Sequence, residues 1–349
     1  MKVSIKAISE RTGFSPATVS NALNHKKGVN ADTASEIFRV AKEMGYINEN
    51  RIRKIKIVVF KHSGMIVEDS PFFSLVIDGI EKGCRETGME MVLCNLNHGD
   101  EDYEKQVDWL IHDHSSAVIF LGTELMEEDV ALFKNVTCPF LMLDYWNHDM
   151  AFNGVLINNA DSARMATEYL IRKGHKRIGY LRGECRIKGF RSRAAGYADA
   201  LRKAGYPVEK KYTVTLSTTV NGAYEDMKRY LETEPELPSA FFADNDMIAL
   251  GAVKAMTEKG IRIPQDISVV GFDDLPFSEI ANPPLTTLRV PKQEMGRLAV
   301  RRIIEIIDQK DGLKTKTQVC TTFIERESVQ ECNCPDQDTW PLGQRTDRD

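Results

Sequence analysis

Ser15, Ala17, Thr18 and Asn21 are small or polar side chains gathered in one short segment, and their chemistry suits contact with the exposed edges of nucleic-acid bases. Such residues on the first half of a helix let it enter a DNA major groove, where an Asn amide favours an adenine edge. The elements that must position them surround them. Residues 5–24 read as two short helices joined through Gly13, which suits a tight turn. Ile5 and Ile8 give the first helix an apolar face, while Val19 and Leu23 turn the second helix inward and leave the polar set outside. Pro16 fits the first helical turn, where its missing N–H costs nothing. A third helix follows, with Asp32 to Glu36 as a capped, acidic first turn, Ile37, Val40, Ala41 and Met44 at helical spacing, and Gly45 as its stop. The arrangement is a helix-turn-helix, although three short amphipathic helices would also serve as a small interaction bundle.

Charge bears on that choice. Through Lys56 there are eleven basic and five acidic residues, a net +6; the whole 349-residue chain is −5, so the remainder carries −11. A basic head on an acidic body suits DNA phosphates at the head alone, with affinity falling steeply as salt rises. The length exceeds what one hydrophobic core serves and implies two or three domains. The N-terminus is polar and no apolar run is long enough for a signal peptide or a spanning helix, so no membrane partner and a cytoplasmic location are expected. Seven scattered cysteines fit reduced thiols; Cys332 and Cys334 are the only close pair and have no second ligand pair beside them. His112 and His114 would point in different directions on a helix, so no metal and no cofactor are expected. A P-loop, a Gly-rich dinucleotide fingerprint and a nucleophile elbow are all missing, which argues against an enzyme.

From Ile55 the texture becomes β-rich, and helical and strand patterns alternate to about residue 328, an α/β organisation. Strand candidates are Ile57 to Phe60, Met89 to Cys94, Ala117 to Leu121, Phe140 to Leu143, Val155 to Ile157, Arg177 to Leu181, Ala240 to Ala243 and Ile267 to Gly271. Two doubly wound parallel-sheet lobes follow, the chain passing to the second near Asn158 to Lys173 and returning after Asp274. Ligands of such sheets bind at the carboxyl ends of the strands, here the cleft between lobes. The division expected is a head at 1–47, a linker at 48–55, a two-lobed body at 56–329 and a flexible, Asp-, Gln-, Pro- and Arg-rich tail at 330–349.

The run from Ile5 to Tyr46, with Thr18-Val19-Ser20, Ala22-Leu23-Asn24, Val29 and Gly45-Tyr46, resembles the headpiece of the lac repressor / galactose repressor family. The body resembles the same family nearly to Ser328, through Phe72 to Leu75, Gly174 to Gly179, Arg193 to Tyr197, Asp244 to Gly251, Pro264 to Asp274 and Pro283 to Thr287. The resemblance implies a periplasmic-binding-protein-like effector domain behind a helix-turn-helix. It also implies DNA contacts at Ser4, Ser15, Pro16, Ala17, Thr18, Ser20, Asn21, Asn24, Val29, Asn30, Arg51, Ile52 and Ile55. Effector contacts would fall on Phe72, Phe73, Arg193, Tyr224, Asn245 and Asp273, where Arg and Asp grip hydroxyls or a base edge, Asn donates and accepts, and aromatics cover apolar faces. Phe72 and Phe73 are equally readable as core, and Asn245 as a helix cap.

Two departures from the family pattern matter. Pro16, Ala17 and Asn21 stand where other members often carry different base-reading side chains, so the operator should differ from the usual palindrome. The linker is shorter than the family pattern provides. Counted from Tyr46, Ile55 takes the place of the Leu that family members insert into the minor groove, yet its alternation with Ile57 also fits the start of a strand; Ile52 is the fallback wedge. The resemblance thus implies a homodimeric repressor on a palindromic operator, controlled by a small metabolite, a carbohydrate first and a nucleobase second. Control by a partner protein, with Gln293 to Ile307 as docking face, and a helix-turn-helix fused to a sugar or nucleoside enzyme are the other readings.

Overall fold

In the head, apolar residues at helical spacing close α1 (Ile5–Thr12), α2 (Pro16–Leu23) and α3 (Ala31–Glu43) around Ile8, Val19, Ala22, Ile37, Val40 and Ala41. The computed structural model describes residues 4–23, 28–46, 52–68, 70–146, 150–308 and 312–332. Gly13, at φ 76°, ends α1 in the left-handed conformation that the turn requires. The third helix starts before the expected Asp32: Asn30 is its cap, its side chain accepting from the Thr33 amide at 2.7 Å, because Ala31 already lies in the first turn.

The body is two parallel sheets. In the first, β1 (Lys54–Lys61), β2 (Glu90–Asn97), β3 (Ala117–Leu121), β4 (Phe140–Leu143), β5 (Asn153–Ile157) and β11 (Lys316–Val319) lie in the order β11-β5-β4-β3-β1-β2. The second runs β7-β6-β8-β9, from β6 (Ile178–Gly183), β7 (Thr213–Leu216), β8 (Ala240–Ala243) and β9 (Ser268–Val270). A small antiparallel pair, β10 (Thr287–Arg289) with β12 (Thr322–Ile324), completes the sheets. Strands β7, β10, β11 and β12 lie outside the strand candidates. Helices α4 (Pro71–Thr87), α5 (Tyr103–Ile111), α7 (Lys188–Lys203), α8 (Val220–Glu232) and α9 (Asp246–Glu258) connect parallel strands within a sheet, as their crossovers require, while α6 (Asn159–Arg172) leads from the first sheet to the second and α10 (Pro276–Ile280) from β9 to β10.

The chain enters the second lobe through α6 and, as expected, returns after Asp274. It crosses back into α11 (Lys292–Asp308), which packs on α4 of the first lobe. A Cβ on Gly79 would fall 2.1 Å from the Gln293 carbonyl oxygen and one on Gly296 2.3 Å from that of Val76, so the two helices touch backbone to backbone. Met295, Ala299, Val300, Ile303 and Ile307 of α11 are buried there, so this side of the expected docking helix is core. After β12 the chain rejoins the second lobe, where the Val269 amide donates to the Ser328 carbonyl at 2.8 Å. The expected tail is anchored at its start: the Cys332 amide donates to Lys173 at 2.7 Å, and His175 pairs with the Gln330 carbonyl at 3.2 Å. Residues 333–349 lie outside the described residues. Among the described residues no helix is long and apolar enough to cross a membrane.

Candidate functional site: the helix-turn-helix face and the inter-lobe cleft

On the head, Ser15 caps α2, its hydroxyl accepting from the Thr18 amide at 3.0 Å and pairing with the Thr18 hydroxyl at 2.8 Å. Pro16 occupies the first helical position, and it and Ala17 stand exposed, while Thr18, Ser20 and Asn21 are half-buried along the same helix. Ser4 and Asn30 are exposed helix caps, Ser4 accepting from the Ala7 amide at 3.3 Å. Both place helix N-termini, with their partial positive charge, at the head's surface. Val29 is different: it is half-buried against the head's apolar cluster, so it packs the fold. Asn24 and Arg51 lie outside the described residues.

The linker resolves the ambiguity at Ile55. Ile55 is fully buried in β1, paired with Met91 on one side and Ala117 on the other, and belongs to the body's core. Inserting it into a minor groove would extract a central strand residue, so its assignment as a DNA contact is withdrawn. Ile52 lies outside the strand, half-buried against the same core.

The cleft forms where the carboxyl ends of both sheets face each other, a small cavity lined by Phe72, Phe73, Arg193, Asn245 and Asp273 together with Ile66, Ser70, Thr123, Asp144, Ile187, Gly189 and Phe190. Five of the six residues named from the resemblance therefore meet in one place. The sixth does not: Tyr224 lies on α8, its hydroxyl donating to Glu258 of α9 at 2.6 Å and its ring beneath Lys254. Its helical face is turned to the α8–α9 surface, away from the cleft.

Each lining side chain is set by the end of an element. Phe72 and Phe73 occupy the first turn of α4, ring centroids 5.1 Å apart and edge-on, behind the Ser70 cap. Arg193 projects from α7 and is 5% exposed, which demands partners. It donates to Asn159 at 2.8 Å, to the Asp244 carbonyl and to Asp273 at 3.5 Å, and its guanidinium lies 3.5 Å from the Phe272 ring centre. Asn245 caps α9, accepting from the Ile248 amide at 3.0 Å, which engages its oxygen and leaves its NH₂ as the free donor. Asp273 follows β9 at φ 112°, a strained position for a non-glycine residue. Lys292 donates to the Asp273 and Asp274 carbonyls and holds that turn in place.

Two carboxylates dominate the electrostatics. Burial pushes Asp273 up to about 6, with Arg193 and Lys292 pulling it back and Asp144 adding to the rise. Burial likewise raises Asp144 to about 6, opposed by a hydrogen bond from the Thr123 hydroxyl and by Arg193. Asp144, Thr123 and Phe190 were missed by sequence reasoning. Asp144 directly follows β4, at the carboxyl end where ligands of such sheets bind, and Phe190 sits one turn before Arg193, so both carried a usable signal. A cleft with two acceptor-only carboxylates, an Arg, an Asn amide and apolar ring faces can hold a ligand rich in hydroxyls and leaves no group placed as a nucleophile.

Comparison with known proteins agrees with this architecture. Residues 4–49 match the family model described as bacterial regulatory proteins, lacI family, and residues 167–329 match that of a periplasmic binding protein-like domain. The chain is 31% identical over 332 residues to the HTH-type transcriptional repressor PurR of Haemophilus influenzae (strain PittEE), covering 93% of this chain and 98% of the relative. It is 30% identical over 328 residues to the ribose operon repressor of Escherichia coli (strain K12), covering 93% and 99%. Among solved structures, a transcriptional regulator CelR–cellobiose complex superposes with a TM-score of 0.71 at 25% identity, covering 93% of this chain and 99% of that one. The lac repressor dimer bound to operator and the anti-inducer ONPF superposes with a TM-score of 0.71 at 23% identity, covering 95% and 100%.

Proposed function

Because this chain belongs to the lacI family of bacterial regulatory proteins, a family of DNA-binding transcriptional regulators and not of enzymes, we propose that it is a repressor whose operator affinity is set by a small carbohydrate held between its lobes. The head, residues 1–47, reads DNA through the exposed side of α2; the body, residues 56–329, senses the ligand. The observation that carries the sugar reading is Arg193 paired with Asp273, with the Asp144 carboxylate lining the same cavity. A carboxylate only accepts, so two of them need donors, and adjacent hydroxyls supply donors to the carboxylates and acceptors to Arg193 and Asn245 at once. Phe72 and Phe190 offer faces to the C–H side of a ring. The relatives named for the ribose operon and the neighbour solved with cellobiose support the same class. The PurR relative supports a nucleobase as the second reading.

One head reads too few base pairs for useful specificity, so the working species is a homodimer on a palindromic operator in the cytoplasm. Ligand closes the lobes and shifts operator affinity by as much as its affinity differs between the two states. A thermal-shift panel of pentoses, hexoses, disaccharides, nucleobases and nucleosides tests this, since a ligand of the native state raises the melting temperature. A saccharide that stabilises the wild type and not Asp273→Ala, and that changes operator affinity in fluorescence anisotropy, is the expected result. Stabilisation by purines alone would replace the sugar with a base.

A further inference from the structure

Three donors that lie far apart in sequence meet at one corner of the first lobe. Strands β1 and β2 run in register to Lys61 and Asn97, and the His98 amide donates to the Lys61 carbonyl at 2.9 Å, so His62 and His98 emerge side by side from neighbouring strand ends. Their ring centroids are 4.6 Å apart. Between them lies the Asp129 carboxylate, its side chain only 5% exposed, with one oxygen 3.4 Å from His98 Nε2 and the other 3.9 Å from His62 Nδ1. All three ligand atoms lie within 4.8 Å of one another.

This corner is poorly satisfied by the protein alone. His62 Nδ1 is buried with no hydrogen-bond partner, and so is the hydroxyl of Tyr103, whose ring lies 5.1 Å from that of His98. Besides the two imidazoles, Asp129 accepts one long bond, from the Met126 amide at 3.3 Å. A buried carboxylate with so few donors is the kind of group that is paired or coordinates a metal.

We propose that His62, His98 and Asp129 form a binding site for a divalent transition-metal ion of the zinc class, a second ligand site distinct from the inter-lobe cleft. Two imidazoles and one carboxylate are borderline ligands that suit zinc, cobalt or nickel, whereas calcium and magnesium want all-oxygen shells. Metal–ligand bonds of about 2.0–2.2 Å at tetrahedral angles place donors roughly 3.3–3.5 Å apart, so the present triangle closes by small side-chain rotations. Three protein ligands leave a fourth position to water. The two imidazoles are partly exposed, at 34% and 41% of the side chain, which gives an ion a path in. His62 also begins the 62–67 loop that carries Ile66 into the cleft, so an ion here would tie that loop to β2 and to the Asp129 turn.

The test uses the full chain, stripped with chelator and kept reduced, titrated with Co²⁺ and followed by its visible absorption, with Zn²⁺ competition measured by calorimetry. The expected result is one tightly bound ion with a nitrogen/oxygen-type cobalt spectrum and no thiolate charge-transfer band. His98→Ala and His62→Ala should each weaken binding by more than the roughly tenfold to hundredfold that loss of an outer-shell partner costs at metal sites. His112→Ala should leave it unchanged. Binding should also weaken on acidification, because protons compete for the imidazoles. Absence of binding, a thiolate-type spectrum, or affinity unchanged in a folded His98→Ala variant would each overturn the assignment and leave a histidine–carboxylate pair that is only electrostatic.

Discussion

Glu124 holds the loop that joins the first sheet to the cleft, and replacing it with Gln isolates what that carboxylate does. It is 2% exposed and accepts five backbone N–H groups: those of His62, Ser63 and Gly64 on one oxygen at 2.8–3.0 Å, and those of Ile66 and Val67 on the other at 2.9 and 3.1 Å. Glutamine keeps the shape but exchanges one oxygen for an NH₂. Whichever way the amide turns, at least two amides lose their acceptor and face a donor. A buried unsatisfied donor costs about 1–3 kcal/mol, so the substitution should destabilise the loop by about 2–6 kcal/mol. Even the lower bound is roughly a thirtyfold rise in local opening. Hydrogen exchange read by mass spectrometry should therefore show residues 62–67 exchanging at least about thirtyfold faster in Glu124→Gln, with β3 as the unchanged internal reference. The loop also carries the Met65 carbonyl, which accepts from the Thr218 hydroxyl of the opposite lobe at 3.3 Å, so ligand affinity should fall in parallel. Exchange within about threefold of wild type would refute the reasoning, because it would mean that the five bonds contribute no more than water does.

Ligand binding should weaken as pH falls below about 6, since Asp144 and Asp273 must be ionised to accept from hydroxyls; calorimetry across pH 5–8 that gave a flat profile would reject them as contacts. The stability sign is opposite: both pKa values are raised above the unfolded value, so their contribution is fully present below about 4 and is lost as pH rises through about 6, which urea midpoints at several pH values would reveal. Arg193→Lys cannot reproduce the bonds to Asn159, Asp244 and Asp273 or the stacking on Phe272, and should abolish the ligand-induced thermal shift while Tyr224→Phe leaves it intact. Ile55→Ala should cost about 2–5 kcal/mol in unfolding experiments and leave the operator affinity of folded protein unchanged, whereas Asn21→Ala should erode discrimination at one base pair by about 1–3 kcal/mol.

The head was legible because its information is local: a glycine at a positive φ, a proline at a first helical turn and apolar residues one turn apart dictate three helices with few alternatives. Central strands such as β3 and β4, buried on both faces, announce themselves as apolar runs. Strands β7 and β11 do not, because each is the edge of its sheet and alternates or stays half-exposed, with Thr, Lys and Gln where a central strand would carry Val or Ile. The cleft divides the same way. Arg193 and Asp273 sit within recognisable motifs and Asp144 directly follows a legible strand, while Thr123 and Glu124 take their roles from strand order, which brings the ends of β1 and β3 together. Tyr224 was named from the family resemblance alone, and here α8 turns its hydroxyl to Glu258 of α9.

The same topology bears on how ligand and operator could communicate. Tyr46 packs against the head's core and Ile52 against the body's, so even a fully extended chain between them spans only about 20 Å, and the head cannot travel far from the first lobe. From Ile52 the chain runs directly into β1, central in its sheet and paired on both sides. That strand begins beside the head's tether and ends at Lys61, just before His62, the first residue of the loop that Glu124 pins and that places Ile66 in the cleft. The cleft loop and the tether thus lie at opposite ends of one strand. With Ile55 locked in the core, we propose that closure over a ligand resets the spacing of two heads on DNA by rotation of the first lobe as a rigid body, not by folding of a wedge at Ile55.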